Sequence, residues 1–252
     1  MNDLIGFFDS GVGGVSVLHT ASKLLPNENF LYYGDNGNAP YGVRSLDEIR
    51  SLSKRAVSVL LERGVKAIVI ACNTATSAYA ETLRSEVDIP VVGMEPAIKP
   101  AQLNRHGGEV LALATKATLS LPKFQKLMGI YGENVIPVVG EGLVELVEAG
   151  KGNSPEAEDA LARIFKPYLS RQIDSIVLGC THYPFLEDSI RRLMPKAEIY
   201  DGRFGTAMRL RHLLELHGLF SDDSPGTIEY LTSGDESCIA LMRSLMTSLD
   251  RK

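Results

Sequence analysis

The sequence predicts an α/β protein of two related halves, each a mainly parallel sheet flanked by helices. Three observations carry that prediction. Short apolar runs alternate with segments of helical period along the whole chain, the pattern that builds parallel sheets. Two of the runs end alike: Ala67-Ile68-Val69-Ile70-Ala71-Cys72-Asn73-Thr74 and Ser175-Ile176-Val177-Leu178-Gly179-Cys180-Thr181-His182. Their cysteines stand 108 residues apart (180 − 72), and the same shift brings Ile5-Gly6-Phe7-Phe8-Asp9 near Leu111-Ala112-Leu113-Ala114-Thr115, so the chain reads as an internal repeat.

Taken in order, Leu4 to Phe8 is a buried strand, and Asp9-Ser10-Gly11-Val12-Gly13-Gly14 turns the chain into a helix. The apolar positions of that helix, Val17, Leu18, Ala21, Leu24 and Leu25, recur at helical spacing. Phe30 to Tyr33 is a second strand, and Gly34 to Gly42, with Gly37 and Pro40 inside it, is a loop. Ser45 and Glu48 have the spacing of a capping box, and the helix they open runs to Gly64, a residue suited to a C-cap. Ile68 to Ala71 is a continuous apolar strand of the kind buried on both faces, with Cys72 at its C-terminal end. A helix from about Ala75, a strand at Pro90 to Val92, a helix after Pro96 and a strand at Val110 to Ala114 follow. Ser154-Pro155-Glu156 opens another helix with proline in its first turn, and Ser175 to Leu178 is the second strongly apolar strand.

With 252 residues, 44% of them hydrophobic, the chain has material for one large or two small domains, of which two fits the repeat better. The formal net charge of −5 leaves no positive field to hold a phosphate backbone, so nucleic acid is not expected as a primary partner. The longest apolar runs are strand-sized, well short of the roughly 20 residues of a membrane span. Met1-Asn2-Asp3-Leu4 has neither the positive start nor the long apolar stretch of a secretory signal, so a cytoplasmic location with reduced thiols is expected. The three cysteines lack the double spacing of a zinc site, and no metal is expected.

In open parallel sheets ligands sit beyond the C-terminal strand ends, where helix N-termini point amide groups at the site. Asp9, Cys72, Thr115 and Cys180 would all lie there. A thiol at a helix N-terminus has its thiolate stabilised, so both cysteines are expected to titrate nearer neutrality than a free thiol. A matched pair of such groups from matched halves suits a reaction that needs a base on one face of a carbon and an acid on the other, as racemisation at an α-carbon does.

Each of these residues also has a plainer use. A cysteine after a strand can be a small buried hydrophobe. Asp9 and Ser10 can cap the helix that follows. His182 is either a turn residue or a proton partner for Cys180 two positions before it. Asn73, Thr74 and Thr181 suit a carboxylate or an ordinary cap. Cys238 shares helical spacing with Met242 and Leu245 and is assigned to the core. The Gly11-Val12-Gly13-Gly14 turn fits neither the dinucleotide fingerprint nor the P-loop.

The segments Phe8-Asp9-Ser10-Gly11-Val12-Gly13-Gly14, Pro40-Tyr41-Gly42, Ala71-Cys72-Asn73-Thr74-Ala75 and Gly179-Cys180-Thr181-His182-Tyr183-Pro184 resemble glutamate racemase, of the aspartate/glutamate racemase superfamily, in order and spacing. Weaker echoes at Thr115-Lys116-Ala117-Thr118, Leu146-Val147 to Gly150 and Ser233-Gly234-Asp235 extend the resemblance over nearly the whole chain. It implies a cofactor-independent enzyme of two pseudo-symmetric α/β domains that interconverts L- and D-glutamate in the cleft between them, supplies D-glutamate for peptidoglycan and commonly forms a homodimer. The implied division is residues 1–95 with 206–252 as a discontinuous first domain and 96–205 as the second.

By the same resemblance, Cys72 and Cys180 match the proton-transfer cysteines, with Asp9 and His182 beside them. Asp9, Ser10, Tyr41, Gly42, Asn73, Thr74, Thr181 and His182 match substrate-binding positions, and Asp35, Thr115 and Glu148 match further polar positions of the site. The chain departs from the pattern at Asn36 and Asn38, where threonine and arginine are usual. It also departs at Gly93-Met94-Glu95-Pro96, one residue short, and at Tyr200-Asp201-Gly202, which lacks the usual serine. Because Asn36 and Asn38 lie near the substrate loop, racemisation of aspartate or another amino acid is the competing enzymatic reading. A binding protein that recognises an amino acid without catalysis is another, and a pyridoxal enzyme would need a lysine and a phosphate cradle that the sequence does not place.

Overall fold

The computed structural model describes residues 3–222 and 224–251. Met1 and Asn2, which open the segment read above for a secretory signal, lie outside the described residues. The strands are β1 (Leu4–Asp9), β2 (Asn29–Gly34), β3 (Ala67–Ile70), β4 (Val91–Gly93), β5 (Glu109–Ala114), β6 (Val135–Val139), β7 (Ile173–Leu178), β8 (Glu198–Asp201) and β9 (Ile228–Thr232). The helices are α1 (Val15–Leu24), α2 (Leu46–Glu62), α3 (Asn73–Glu86), α4 (Ile98–Leu103), α5 (Lys116–Ser120), α6 (Pro122–Tyr131), α7 (Leu143–Glu148), α8 (Pro155–Phe165), α9 (Glu187–Leu193), α10 (Arg203–His217) and α11 (Glu236–Leu249). Among the described residues no helix is long and apolar enough to cross a membrane.

Two sheets result, a five-stranded one in the order β4-β3-β1-β2-β9 and a four-stranded one in the order β6-β5-β7-β8. Every pairing in both is parallel. The connectivity β4-β3-β1-β2 of the first sheet recurs as β8-β7-β5-β6 in the second, so the repeat read from the two cysteine strands is a repeat of topology. Its shift is not uniform. Phe8 pairs with Ile70 and Leu113 with Leu178, so the cysteine strands are 108 residues apart (178 − 70) but their partners only 105 (113 − 8). Ser10, rather than Asp9, is therefore the counterpart of Thr115. Connections between strands absorb such length differences at the surface while the sheets stay in register.

The apolar runs become strands covered on both faces. Ala67, Ile68, Val69 and Ile70 are all fully buried. Phe8, Ile68 and Ile70 pack with side chains of α2 and α3 on one side of the first sheet, and Val110, Ala112 and Val177 pack with α4 and α6 on the outer side of the second. The remaining faces share one apolar cluster running from Phe7 and Val69 through Val12 and Val144 to Leu113 and Leu178. Full burial of each large apolar side chain there stabilises the fold by roughly 1.5–3 kcal/mol, and the shared cluster holds the two halves together.

Local signals set most element ends. Ser45 and Glu48 make both halves of the capping box, Gly64 has the positive φ of 67° that favours glycine after α2, and Ser154 accepts the Ala157 N–H at the start of α8. The edge strands β6, β8 and β9 have weaker signals in the sequence: Pro137 interrupts β6, and β8 and β9 are mostly half-buried and carry charged or polar residues within them. Such strands need not be continuously apolar, because a neighbour covers one edge only.

The plainer use of Asp9 and Ser10 as caps is not taken up: α1 starts after Gly14 without a side-chain cap, and Asp9 instead accepts the N–H of Gly11 within the turn. One expectation needs correction. Cys72 is the N-cap of α3, but Cys180 leads into a 3₁₀ turn at Tyr183–Leu186, so the two thiols do not share a helix-start setting. The two departures at Gly93–Pro96 and Tyr200–Gly202 lie together where the chain passes between the sheets. A side chain at Gly202 would put its Cβ 2.5 Å from the Glu95 carbonyl.

Candidate active site

Both sheets direct the C-terminal ends of their central strands to one place. Asp9 ends β1, and Cys72, Thr115 and Cys180 follow β3, β5 and β7. Ser10, Cys72, Asn73 and Thr74 from the first half and Thr115, Thr118, Cys180, Thr181 and His182 from the second line a single cavity, closed over by Tyr41 and Gly42. Gly42 is required by close approach, since a Cβ there would lie 2.8 Å from that of Thr115. The cavity is about 10 Å³, room for about one water molecule.

The two thiols have different surroundings. Cys72 Sγ accepts the Ala75 N–H at 3.4 Å and donates to Ser10 Oγ at 3.5 Å. Burial pushes its thiol up to about 12, and the nearby Asp9 carboxylate adds to the rise. The helix-start amide opposes this without cancelling it, so the expected fall toward neutrality does not occur at Cys72. Desolvation outweighs the helix end here.

Cys180 has a cation instead. Its Sγ is 3.6 Å from His182 Nδ1, and His182 Nε2 is 2.5 Å from Glu148 Oε1. Burial alone would lower the His182 pKa, but its hydrogen bonds to Cys180 and Glu148 carry it well above the usual imidazole range. Burial likewise works to raise Glu148, and the His182 contact overcomes it and holds the carboxyl below its ordinary value. The pair is therefore an imidazolium and a carboxylate, and the imidazolium faces the thiol. Glu148 also accepts the Val12 N–H at 2.7 Å and the Asn36 side-chain amide at 2.9 Å.

Asp9 is fully buried and accepts from the Gly11 N–H and the Thr181 hydroxyl, each at 3.1 Å. Burial raises its pKa to about 6, against the lowering effect of His182. Thr181 Oγ1 lies 3.3 Å from His182 Nδ1, which links Asp9 to the histidine.

Thr74, Thr115 and Thr118 form a hydroxyl triangle, with Thr118 at 2.9 Å from each of the others. Thr118 carries a cavity-lining group that reasoning from the sequence did not assign; its three-residue spacing from Thr115 across the first turn of α5 is the signal that marks it. Both polar atoms of the Asn73 side chain are buried without a protein partner, which a ligand with a donor and an acceptor would satisfy.

Asp35 is not among the cavity-lining residues. It accepts from Tyr41 Oη at 2.6 Å, Ser233 Oγ at 2.6 Å and Asn38 Nδ2 at 2.9 Å, and so fixes the loop that carries Tyr41 and Gly42. Cys238 is half-buried against the main apolar cluster and away from the cavity.

Residues 16–203 match the Asp/Glu/Hydantoin racemase family. A curated glutamate racemase of Clostridium perfringens is 48% identical over 251 residues, 97% of this chain and 96% of its own length. The crystal structure of Escherichia coli glutamate racemase in complex with L-glutamate and the activator UDP-MurNAc-ala superposes with a TM-score of 0.87 at 30% identity, over 98% of this chain and 95% of that one. The Francisella tularensis glutamate racemase in complex with D-glutamate gives a TM-score of 0.83 at 25% identity, over 98% and 94%. With the parallel-sheet repeat and the cavity between its strand ends, these matches establish that the chain belongs to the Asp/Glu/Hydantoin racemase family of isomerases, among the glutamate racemases.

Proposed function

We propose that the protein racemises glutamate by a two-thiol acid/base mechanism and that the D-glutamate formed supplies peptidoglycan synthesis. The observation that carries the reading is the single cavity lined by Cys72 from one half and Cys180 from the other, the second thiol facing an imidazolium. The relatives named above supply the substrate.

In the forward direction Cys180, which faces the His182 imidazolium at 3.6 Å, acts as the base, while Cys72, buried and near Asp9, keeps its proton and acts as the acid. With the α-carbon of glutamate between them, Cys180 takes the α-proton and Cys72 donates its own to the opposite face. The substrate leaves as its enantiomer with no net change in protons or electrons, and the roles of the thiols are exchanged. That state accepts the other enantiomer by the reverse path. Asn73, Thr74 and Thr181 bind the substrate carboxylates, and Ser10, Tyr41 and Gly42 complete the enclosure. The thiols hold every proton that moves, so the step requires no cofactor.

The test is purified protein with L-glutamate, L-aspartate and other L-amino acids, followed by polarimetry and by incorporation of solvent deuterium at the α-carbon. Loss of optical rotation with deuterium in the product is expected for glutamate alone. Faster turnover of aspartate would move the assignment to another amino acid, and binding without deuterium incorporation would make the protein a non-catalytic receptor.

A further inference from the structure

Glu148 is held at three points, the Val12 N–H, His182 Nε2 and Asn36 Nδ2. The third arises at a position where the resemblance leads one to expect threonine. Asn36 uses both ends of its amide. Nδ2 donates to Glu148 Oε2 at 2.9 Å, and Oδ1 accepts from Thr232 Oγ1 at 2.9 Å, a hydroxyl at the end of β9 that itself accepts the Gly234 N–H. A threonine at this position offers one hydroxyl, whereas asparagine offers a separate donor and acceptor and so ties the carboxylate to the sheet edge. Asn36 is not among the residues lining the cavity.

We infer that Asn36 is a positioning residue for proton transfer at Cys180: anchored on Thr232, it fixes the Glu148 carboxylate against His182, which in turn holds the imidazolium beside the thiol. The inference rests on the two-thiol reading and names what orients one of its two bases. Without the amide donor, Glu148 keeps two of its three partners and gains freedom to leave His182. The imidazole ring then loses the partner that fixes it at Nε2, and its Nδ1 is no longer held beside the Cys180 sulfur, so proton transfer at that thiol slows. Cys72 has no part in this chain of contacts, so the defect is confined to one thiol.

The experiment compares N36A and N36D with the wild type in three measurements: glutamate turnover, the rates of iodoacetamide labelling of Cys180 and Cys72 by peptide mapping, and the melting temperature. N36A is expected to lower kcat about tenfold, the effect of one charge-assisted hydrogen bond, with KM little changed. N36D keeps the oxygen that accepts from Thr232 but removes the donor and sets a second carboxylate against Glu148. It is expected to be the more damaged of the two. In both variants Cys180 labelling slows relative to Cys72.

A role limited to anchoring β9 predicts the reverse order, with N36D close to wild type and only N36A impaired, and that result overturns the inference. So does an unchanged labelling ratio, or a fall in both thiols together with a lost melting transition. If the wild type itself does not racemise glutamate, the proposed function fails on that measurement alone. The labelling ratio then still decides whether Asn36 acts on Cys180.

Discussion

At Asp9 the requirements of the site and of the fold oppose each other. A carboxylate in a fully buried position costs stability, and the rise of its pKa from 3.8 to about 6 reports that cost. Because the folded-state value is raised, the favourable contribution is complete below the unfolded value near 4 and is lost as the pH climbs through about 6. Replacing Asp9 by Asn keeps the shape and lets the Thr181 hydroxyl turn to accept. The variant is predicted to be more stable than the wild type at pH 8 by roughly 1–3 kcal/mol, with the difference shrinking toward pH 4, while racemase activity falls. Thermal melts across that range check it, and a stability difference independent of pH would contradict it. Asp9, Cys72, Cys180 and His182 were singled out in the sequence because the repeat sets the two cysteines at matching strand ends and the resemblance places Asp9 and His182 beside them, although each residue alone has a plainer use. The roles of Glu148 and Asn36 were not: the Glu148 contacts to Val12 and Asn36 bridge 136 and 112 residues, and only the folded chain brings such partners together.

Among the elements, the turn between β1 and α1 has a specific task, which is to admit a side chain from α7. A Cβ on Gly11 would sit 1.9 Å from Glu148 Oε1, so the glycine is there for close approach. Gly11→Ala is predicted to displace Glu148 from the Val12 N–H and from His182. The expected result is about a 10–100-fold lower turnover at a melting temperature reduced by no more than a modest overpacking cost. Full activity in this variant would show that Glu148 need not occupy its observed place. The central strands β1, β3, β5 and β7 were readable as apolar runs because helices cover both of their faces. Of the edge strands, β4 was read at Pro90 to Val92, but β6, β8 and β9 were not, since Pro137 and partly exposed polar residues break their pattern. The parallel drawn between the two cysteines also stopped at the elements: one caps a helix and the other enters a 3₁₀ turn, and the histidine beside Cys180 supplies what the helix start does not.

For the whole molecule, the repeat explains why the site has two thiols. Each half contributes one cysteine from the same topological position, and packing the halves through a common apolar cluster brings the two to one cavity. At about 10 Å³ that cavity is too small for an amino acid, so on the proposed function the enclosure around the two thiols opens to admit substrate. The central claim is that both thiols transfer protons, and its most direct test is glutamate turnover by Cys72→Ala and Cys180→Ala, each confirmed folded by its melting transition. Loss of at least about 100-fold in either variant alone is the predicted result, because neither thiol substitutes for the other on the opposite face of the α-carbon. Near-normal turnover in either one would contradict the two-thiol account.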